Sequence, residues 1–472
     1  MAERIVLVLG AGRSSGFLIE YLAERANVLN AKIVVADQNL EWARSKVEFL
    51  PSCLAAIVSP SEDKEGFEEL VASATLVISL LPVHLHLTVA HACLKYQKPM
   101  FTASYQTAEM EVIQGEIASK GLLFLNECGC DPGLDHMTAV QILDSLKASG
   151  HQILSYEGYT GGLVAPVSDD NPWHYKFSWN PRNVILAGQN GPAQFLRNSK
   201  TYLLNYPELF RQVVEVNLPD FPDLVGYFNR NSLPYADLYG IPATQTVIRG
   251  TLRHRHFCTA WFPIAFWGMN SSDVLDSALL ADLPSQKTLI HKLSNELGYT
   301  DAECKVVIEL WDYLGIWELL QALKDPRLGG RGDLKSNRTA NANSFSPPLL
   351  PFEDQSAWIS PTDWLEKRMI DRMSLAPTDQ DMVLMTHLIQ TISPEGCNES
   401  HRCTLKLEGE GGDRSAMAKT VGLPLAMAVE LYLQGKINET GLLRPLGSLW
   451  YGSILPALEQ HGIRMQHHVT TG

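Results

Sequence analysis

The chain has 472 residues, 45% of them hydrophobic, and a formal net charge of −14. That length points to two or three domains, with enough apolar material for a large core. The acidic balance argues against nucleic acid or an anionic membrane surface as the main partner, since both demand a basic footprint, but leaves room for an anionic small molecule held by local arginines.

The opening run Ile5-Val6-Leu7-Val8-Leu9, then Gly10-Ala11-Gly12-Arg13-Ser14-Ser15-Gly16 and the helical pattern Phe17 to Leu22, predicts a strand, a tight turn and a helix. Gly10 would supply the turn and Gly12 the close approach of a pyrophosphate, whose charge the free amides opening the helix would hold. The spacing Gly-x-Gly-x-x-x-Gly is one residue longer than the commonest dinucleotide fingerprint. A second strand, Ala31 to Ala36, ends in Asp37, at the offset where such a fold places a carboxylate for the adenosine ribose. A carboxylate there would repel a 2′-phosphate, which points to NAD over NADP. Asp37 reads equally well as a helix N-cap. Arg13 keeps NADP possible, because a guanidinium in the glycine loop can pair with a 2′-phosphate or stack on adenine.

A polar helix through Arg44 and Lys46 and a short strand near Cys53 to Val58 follow. Thr75 to Pro82 is a buried strand stopped by proline, which places Leu80 and Leu81 at the carboxyl edge of the sheet beside the nicotinamide half of a dinucleotide. His84 and His86 open the next helix, where histidine reads first as a helix-start or packing residue. Pro99 to Tyr105 is a further strand, 107–119 a helix, and Leu122 to Asn126 a strand opening onto Glu127 to His136. These successive strand ends carry Ser104, Tyr105 and Asp131 toward one crevice, although Asp131-Pro132-Gly133 is also the composition of a plain turn.

Helix 137–148 and strand Ile153 to Tyr159 lead into a loop, Thr160 to Pro166, and the aromatic, charged stretch Asp169 to Trp179, a binding surface or an interface. Thr246 to Arg255 alternates strictly, so Arg249, Thr251, Arg253 and Arg255 share one face. Such a face is either the wet side of a sheet or a carboxylate clamp, since guanidinium binds carboxylate in bidentate fashion. Helices Asp273 to Leu280, Gln286 to Leu297 and Asp301 to Leu314 form an inserted lobe, and Gly329 to Pro351 reads as a mobile connector. Helix Thr362 to Met373, strands Asp381 to Leu388 and Arg402 to Glu408, and a long small-residue helix over 415–428 complete the chain.

No apolar run reaches the length of a membrane helix, and the first strand starts too close to Met1 for a signal or transit peptide. The cysteines at 53, 93, 128, 130, 258, 304, 397 and 403 form no C-x-x-C pair and no metal spacing. Reduced thiols, a cytoplasmic location and no metal are the expectation. The domains are expected at 1–135 (dinucleotide binding), 136–271 (mixed α/β), 272–375 (helical lobe with connector 329–351) and 376–472, the remainder packing back on the first.

Taken together, Gly10-Ala11-Gly12, Val77 to Pro82, Thr102-Ala103-Ser104-Tyr105, Asp131 to His136, Asn171-Pro172, Tyr175 to Trp179, Arg249 to Arg253 and Ala416 to Pro424 resemble the saccharopine dehydrogenase family over nearly the whole chain. The resemblance implies an α/β protein: a Rossmann-like doubly wound sheet, a mixed α/β domain for substrate binding and dimerisation, and a small helical lobe. It implies NAD-linked oxidation of saccharopine to L-glutamate and aminoadipic semialdehyde by a homodimer, in lysine metabolism. By the same resemblance, Ala11 to Ser14, Leu80, Leu81 and Asp131 touch the dinucleotide, Ser104, Tyr105 and Asp131 line the substrate end, and Arg230, Thr251, Leu252 and Arg253 bind substrate carboxylates. Asp131 and Tyr105 are the candidates for proton handling and orientation. The chain departs from the family at Cys130, where the family commonly has leucine, at Thr160, and at Asp37-Gln38-Asn39, where NADP-using relatives carry a basic residue. A carboxynorspermidine-type dehydrogenase and a non-catalytic dinucleotide-binding protein are the rival readings.

Overall fold

A computed structural model describes residues 3–187, 189, 191–270, 286–322, 350–351, 358–359 and 361–471. The predicted helix Asp273 to Leu280, and all but the last two residues of the expected connector, lie outside them. The chain divides into two compact units, one of residues 1–162, 236–244 and 377–472, the other of 163–235 and 245–376.

The first unit is built on a parallel sheet. Its strands are β1 (Arg4–Leu9), β2 (Ala31–Asp37), β3 (Cys53–Ile57), β4 (Leu76–Ser79), β5 (Met100–Thr102) and β6 (Leu123–Leu125), in the order β6-β5-β4-β1-β2-β3, with a late strand, Gly441–Leu443, beside β6. All six pairings are parallel. Both faces are covered, and the burial alternates. Val6, Val8, Ile33, Val35 and Ile78 belong to one apolar cluster, whereas Leu7, Leu9, Val77 and Phe124 belong to another. This two-sided burial explains why the strands read as continuous apolar runs. Helices α1 (Gly16–Leu29), α2 (Leu40–Val47), α3 (Lys64–Ser73) and α4 (His86–Tyr96) connect them, giving the doubly wound arrangement. The order, with its reversal between β1 and β4, is that of dinucleotide-binding sheets.

The same unit carries long antiparallel strands. Asp381–Ile392 and Asn398–Glu408 pair from Met382↔Glu408 to Ile392↔Asn398. Gln152–Val164 lies beside the first of these, longer than the predicted Ile153 to Tyr159. Residues from Gly158 to Val164 are all buried, so the glycine pair that reads locally as a loop is held extended by its neighbours. Helix Ala416–Leu433 has the length and hydropathy of a membrane span, against the sequence expectation, yet 72% of it is buried inside the protein. A helix apolar all round is what a core requires. The carboxylate of Asp381 opens it, accepting from the amides of Ala416 (2.6 Å) and Met417 (2.9 Å).

In the second unit, strand Leu224–Phe228 pairs antiparallel with Thr246–His254, from Leu224↔His254 to Phe228↔Gly250. Trp173 and Trp311 are fully buried and donate to the carbonyls of Leu310 (3.0 Å) and Ala260 (3.1 Å). The helix Asp301–Leu314 matches the prediction and begins at a reciprocal cap between Thr300 and Glu303.

Helix Ala416–Leu433 crosses α1 at Gly422, where a Cβ would come within 2.9 Å of the Leu18 amide nitrogen. Gly422→Val should therefore cost about 1–3 kcal/mol through overpacking, read as a lowered Tm. An unchanged Tm would contradict this close crossing.

Candidate active site

The turn after β1 has two opposite halves. Gly10 has φ +104°, and a Cβ there would lie 3.0 Å from the Leu80 carbonyl oxygen, so both conformation and space demand glycine. Gly12 has nothing within 4 Å of where its Cβ would be. Behind it α1 starts from Ser15, which makes no side-chain cap, so the first helical amides are offered outward. An open backbone approach facing free amides fits a diphosphate. Arg13 is exposed and Ser14, Leu80 and Leu81 are half-buried around it.

Asp37 is buried at the end of β2. Its Oδ2 accepts from the Ala11 amide at 2.8 Å, and its Oδ1 from the Asn39 amide at 2.9 Å. The N-cap of α2 is instead Asn39, accepting from Glu41 and Trp42. Asp37 thus holds the glycine loop against β2.

Three strand ends are linked by hydrogen bonds. Ser79 Oγ, closing β4, sits 2.8 Å from His86 Nδ1, and His86 Nε2 sits 2.7 Å from Ser104 Oγ after β5. Burial, with His84 nearby, pushes His86 down to about 4. A neutral imidazole here must donate on one side and accept on the other, fixing both hydroxyls. The Tyr105 hydroxyl donates to Asp131 Oδ1 at 2.8 Å. Tyr105 and Asp131 are both half-buried, so the pair is reachable.

Beneath them lies Glu127, 1% exposed and held at φ +58°. Its Oε1 accepts from the Gln106 amide (3.0 Å) and Arg444 Nε (2.8 Å), its Oε2 faces His136 Nε2 (2.9 Å), and the other nitrogen of His136 faces the Tyr239 hydroxyl (2.8 Å). Burial alone would raise this carboxyl, but the bonds and charges of His136 and Arg444 prevail and hold it at about 2.

In the second unit, the strand Thr246–His254 places Arg249 and Arg253 in one row. Arg249 lies over the Tyr235 ring at 4.3 Å, and Arg253 over the Tyr175 ring at 4.9 Å. Arg253 is only 3% exposed; its Nη1 reaches the Leu252 carbonyl at 2.7 Å, while its Nε has no hydrogen-bond partner among the described residues. Thr251 is half-buried on the same strand, Leu252 is packed in the core, and Arg230 stands exposed at φ +53° after Leu224–Phe228. Arg255 does not continue the row. The strand ends at His254, and Arg255 opens the helix Arg255–Phe266, bonded to Glu215 at 2.6 and 2.7 Å. Alternation could not show where extended pairing gives way to a helical cap.

In the first unit Tyr105 is bonded to Asp131 and Ser104 to His86, and in the second Arg253 lies on the strand Thr246–His254. His86, Glu127 and Tyr175 were not singled out for the parts they play. A histidine seven residues after a strand-end serine was the available signal for the first; the partners of Glu127 are too scattered in sequence to leave one.

A family model for the saccharopine dehydrogenase NADP binding domain matches residues 6–125, and one for the saccharopine dehydrogenase C-terminal domain matches 129–463. The chain is 34% identical over 469 residues to the mitochondrial alpha-aminoadipic semialdehyde synthase of Rattus norvegicus, covering 98% of this chain and 47% of that protein. It therefore spans about half the length of that relative. It is 28% identical over 481 residues to saccharopine dehydrogenase (NADP(+), L-glutamate-forming) of Schizosaccharomyces pombe, covering 98% of each. The structure of apo saccharopine dehydrogenase (L-Glu forming) from Saccharomyces cerevisiae matches with TM-score 0.78 at 27% identity, over 99% of this chain and 100% of that one. Homospermidine synthase from Legionella pneumophila, at 10% identity and TM-score 0.54 over 99% and 92%, shares the fold.

Glu127 sits near 2 in the folded chain against an ordinary 4.5. It therefore contributes stability at pH values above its ordinary pKa and loses it as pH falls toward the folded value. Across that window the wild type should lose on the order of 3 kcal/mol that Glu127→Gln does not lose, measured by urea unfolding at successively lower pH. Parallel acid sensitivity of the two proteins would contradict the network.

Proposed function

Because the chain belongs to the saccharopine dehydrogenase family, we propose that it oxidises saccharopine with a nicotinamide dinucleotide, releasing L-glutamate and 2-aminoadipate 6-semialdehyde. The observation that carries this reading is Arg253, a buried guanidinium whose Nε has no hydrogen-bond partner among the described residues. Burying a cation without a full set of partners costs several kcal/mol, and a substrate carboxylate is the group that would offset it. Saccharopine brings three carboxylates. Arg230 and Thr251 complete the group assigned to them, with Leu252 between Thr251 and Arg253 on the strand and Tyr175 as the platform under Arg253.

The dinucleotide, held by Ala11 to Ser14, the first amides of α1 and Leu80-Leu81, would supply the hydride acceptor. Hydride can leave the CH₂ carbon beside the secondary amine only when that nitrogen is neutral, so its proton must first be taken up. Asp131 is assigned that task. The bond from the Tyr105 hydroxyl orients it. Water then adds to the substrate imine, steered by the same pair, and the adduct splits between carbon and nitrogen. Ser104, its hydroxyl set by neutral His86, would fix the substrate backbone as a positioning contact.

NAD is the assigned dinucleotide. Asp37 ends β2, and Gln38 and Asn39 follow where a basic residue would be needed to hold a 2′-phosphate. The matching family model is an NADP binding domain and the fungal relatives are named for NADP(+), so the NAD assignment rests on Asp37, Gln38 and Asn39 alone and NADP is the alternative.

Saccharopine should reduce NAD at least tenfold more efficiently than NADP, and carboxynorspermidine should not turn over. Arg253→Met should raise KM for saccharopine about 10- to 100-fold, the worth of one charged hydrogen bond, with kcat less affected. The same variant should raise the Tm of the ligand-free protein, because an apolar side chain then replaces a poorly partnered buried charge. An unchanged KM, turnover of the polyamine precursor, or preference for NADP would each contradict the corresponding assignment.

A further inference from the structure

Three imidazoles meet in the second unit, two of them next in sequence to Tyr175 and Arg253 but none among the groups assigned above. His174, His254 and His256 offer ligand atoms that all lie within 4.8 Å of one another. Their ring centroids are 3.9 Å (His174 to His254), 4.8 Å (His254 to His256) and 5.6 Å (His174 to His256) apart. One comes from the aromatic loop after Pro166, the other two from the end of the strand Thr246–His254 and the first turn of the following helix. We propose that His174, His254 and His256 form a site for a divalent transition cation of the zinc, cobalt and nickel class, with water completing the shell.

Imidazole is the ligand these ions prefer, and three histidines with one open position is an established coordination set. His174 has the arrangement that metal-binding histidines use. Its Nδ1 faces Asp169 Oδ2 at 2.7 Å, which holds the proton there and leaves Nε2 for a cation. The cation nearest in sequence, Arg255, is turned aside onto Glu215. Asp223 and Glu309 add negative charge around the rings. The competitor for a lone pair is the His256 amide, which reaches His254 Nδ1 at 3.2 Å, a long bond for a cation to displace. All three histidines are half-buried, shielded but open to an ion.

A second group, His151, Glu399 and His401, does not compete. The ring nitrogens of His151 face Ser149 and Glu399, and those of His401 face Thr391 and His467. No sequence spacing suggested a metal, because His174 lies far upstream of the His254-x-His256 pair. A cation here would tie the loop bearing Tyr175 to the strand bearing Arg253. That consequence rests on the function proposed above, whereas the site itself does not.

The test is titration of tag-free protein with Co²⁺, followed by calorimetry and visible absorption. One saturable equivalent is expected, lost in His174→Ala and His256→Ala, weakened about 10- to 100-fold in Asp169→Asn, and retained in His401→Ala. X-ray absorption on the wild-type Co²⁺ complex needs no variant to fold, and three imidazole nitrogens in the shell are expected. An oxygen-only shell, no saturable binding, or loss of binding in His401→Ala with retention in His174→Ala would overturn the proposal. Failure of saccharopine turnover would leave the binding result standing.

Discussion

One buried carboxylate, Glu127, fixes where the Tyr105–Asp131 pair of the first unit can be. It gathers the Gln106 amide, His136 and Arg444, and through His136 the Tyr239 hydroxyl, from four separate stretches of chain. Its own amide donates to the Ser104 carbonyl at 3.0 Å. The left-handed backbone it adopts costs a non-glycine residue roughly 1–3 kcal/mol and persists because so many bonds require it. From there the chain runs straight into Asp131. The position of that carboxylate beside Tyr105 is thus set by a salt-bridged core, and the polar surface need only supply the chemistry.

The two units use charge in opposite ways. In the first, the buried anion is over-satisfied and contributes to stability. In the second, Arg253 is buried on aromatic rings with a hydrogen-bonding atom unused. A structural arginine this deep would be expected to carry a carboxylate partner, and one left short costs stability. The glycine loop follows the same logic in milder form. Asp37 takes the Ala11 amide, while the first turn of α1 is left open.

Much of this was legible in the residues. The β1 strand and its glycines announce themselves because a parallel strand buried on both faces must be apolar throughout, and because the loop beside Leu80 tolerates only glycine at position 10. Arg253 showed through strict alternation, which reports the face of a strand. What alternation cannot report is where the strand stops, so Arg255 was placed one step too far. Burial of the strand beyond Tyr159 and the part played by Glu127 depend on partners hundreds of residues away, and no local pattern encodes them. His86 lay between: its spacing from Ser79 was visible, but that its second nitrogen would reach Ser104 was not.

Which carbon–nitrogen bond of saccharopine is broken decides the reaction. Products from saccharopine oxidation can be counted against reduced dinucleotide by chromatography of a single reaction. One L-glutamate and one 2-aminoadipate 6-semialdehyde per reduced dinucleotide is the predicted outcome. Lysine and 2-oxoglutarate in their place, or no reduced dinucleotide from folded protein, would contradict it.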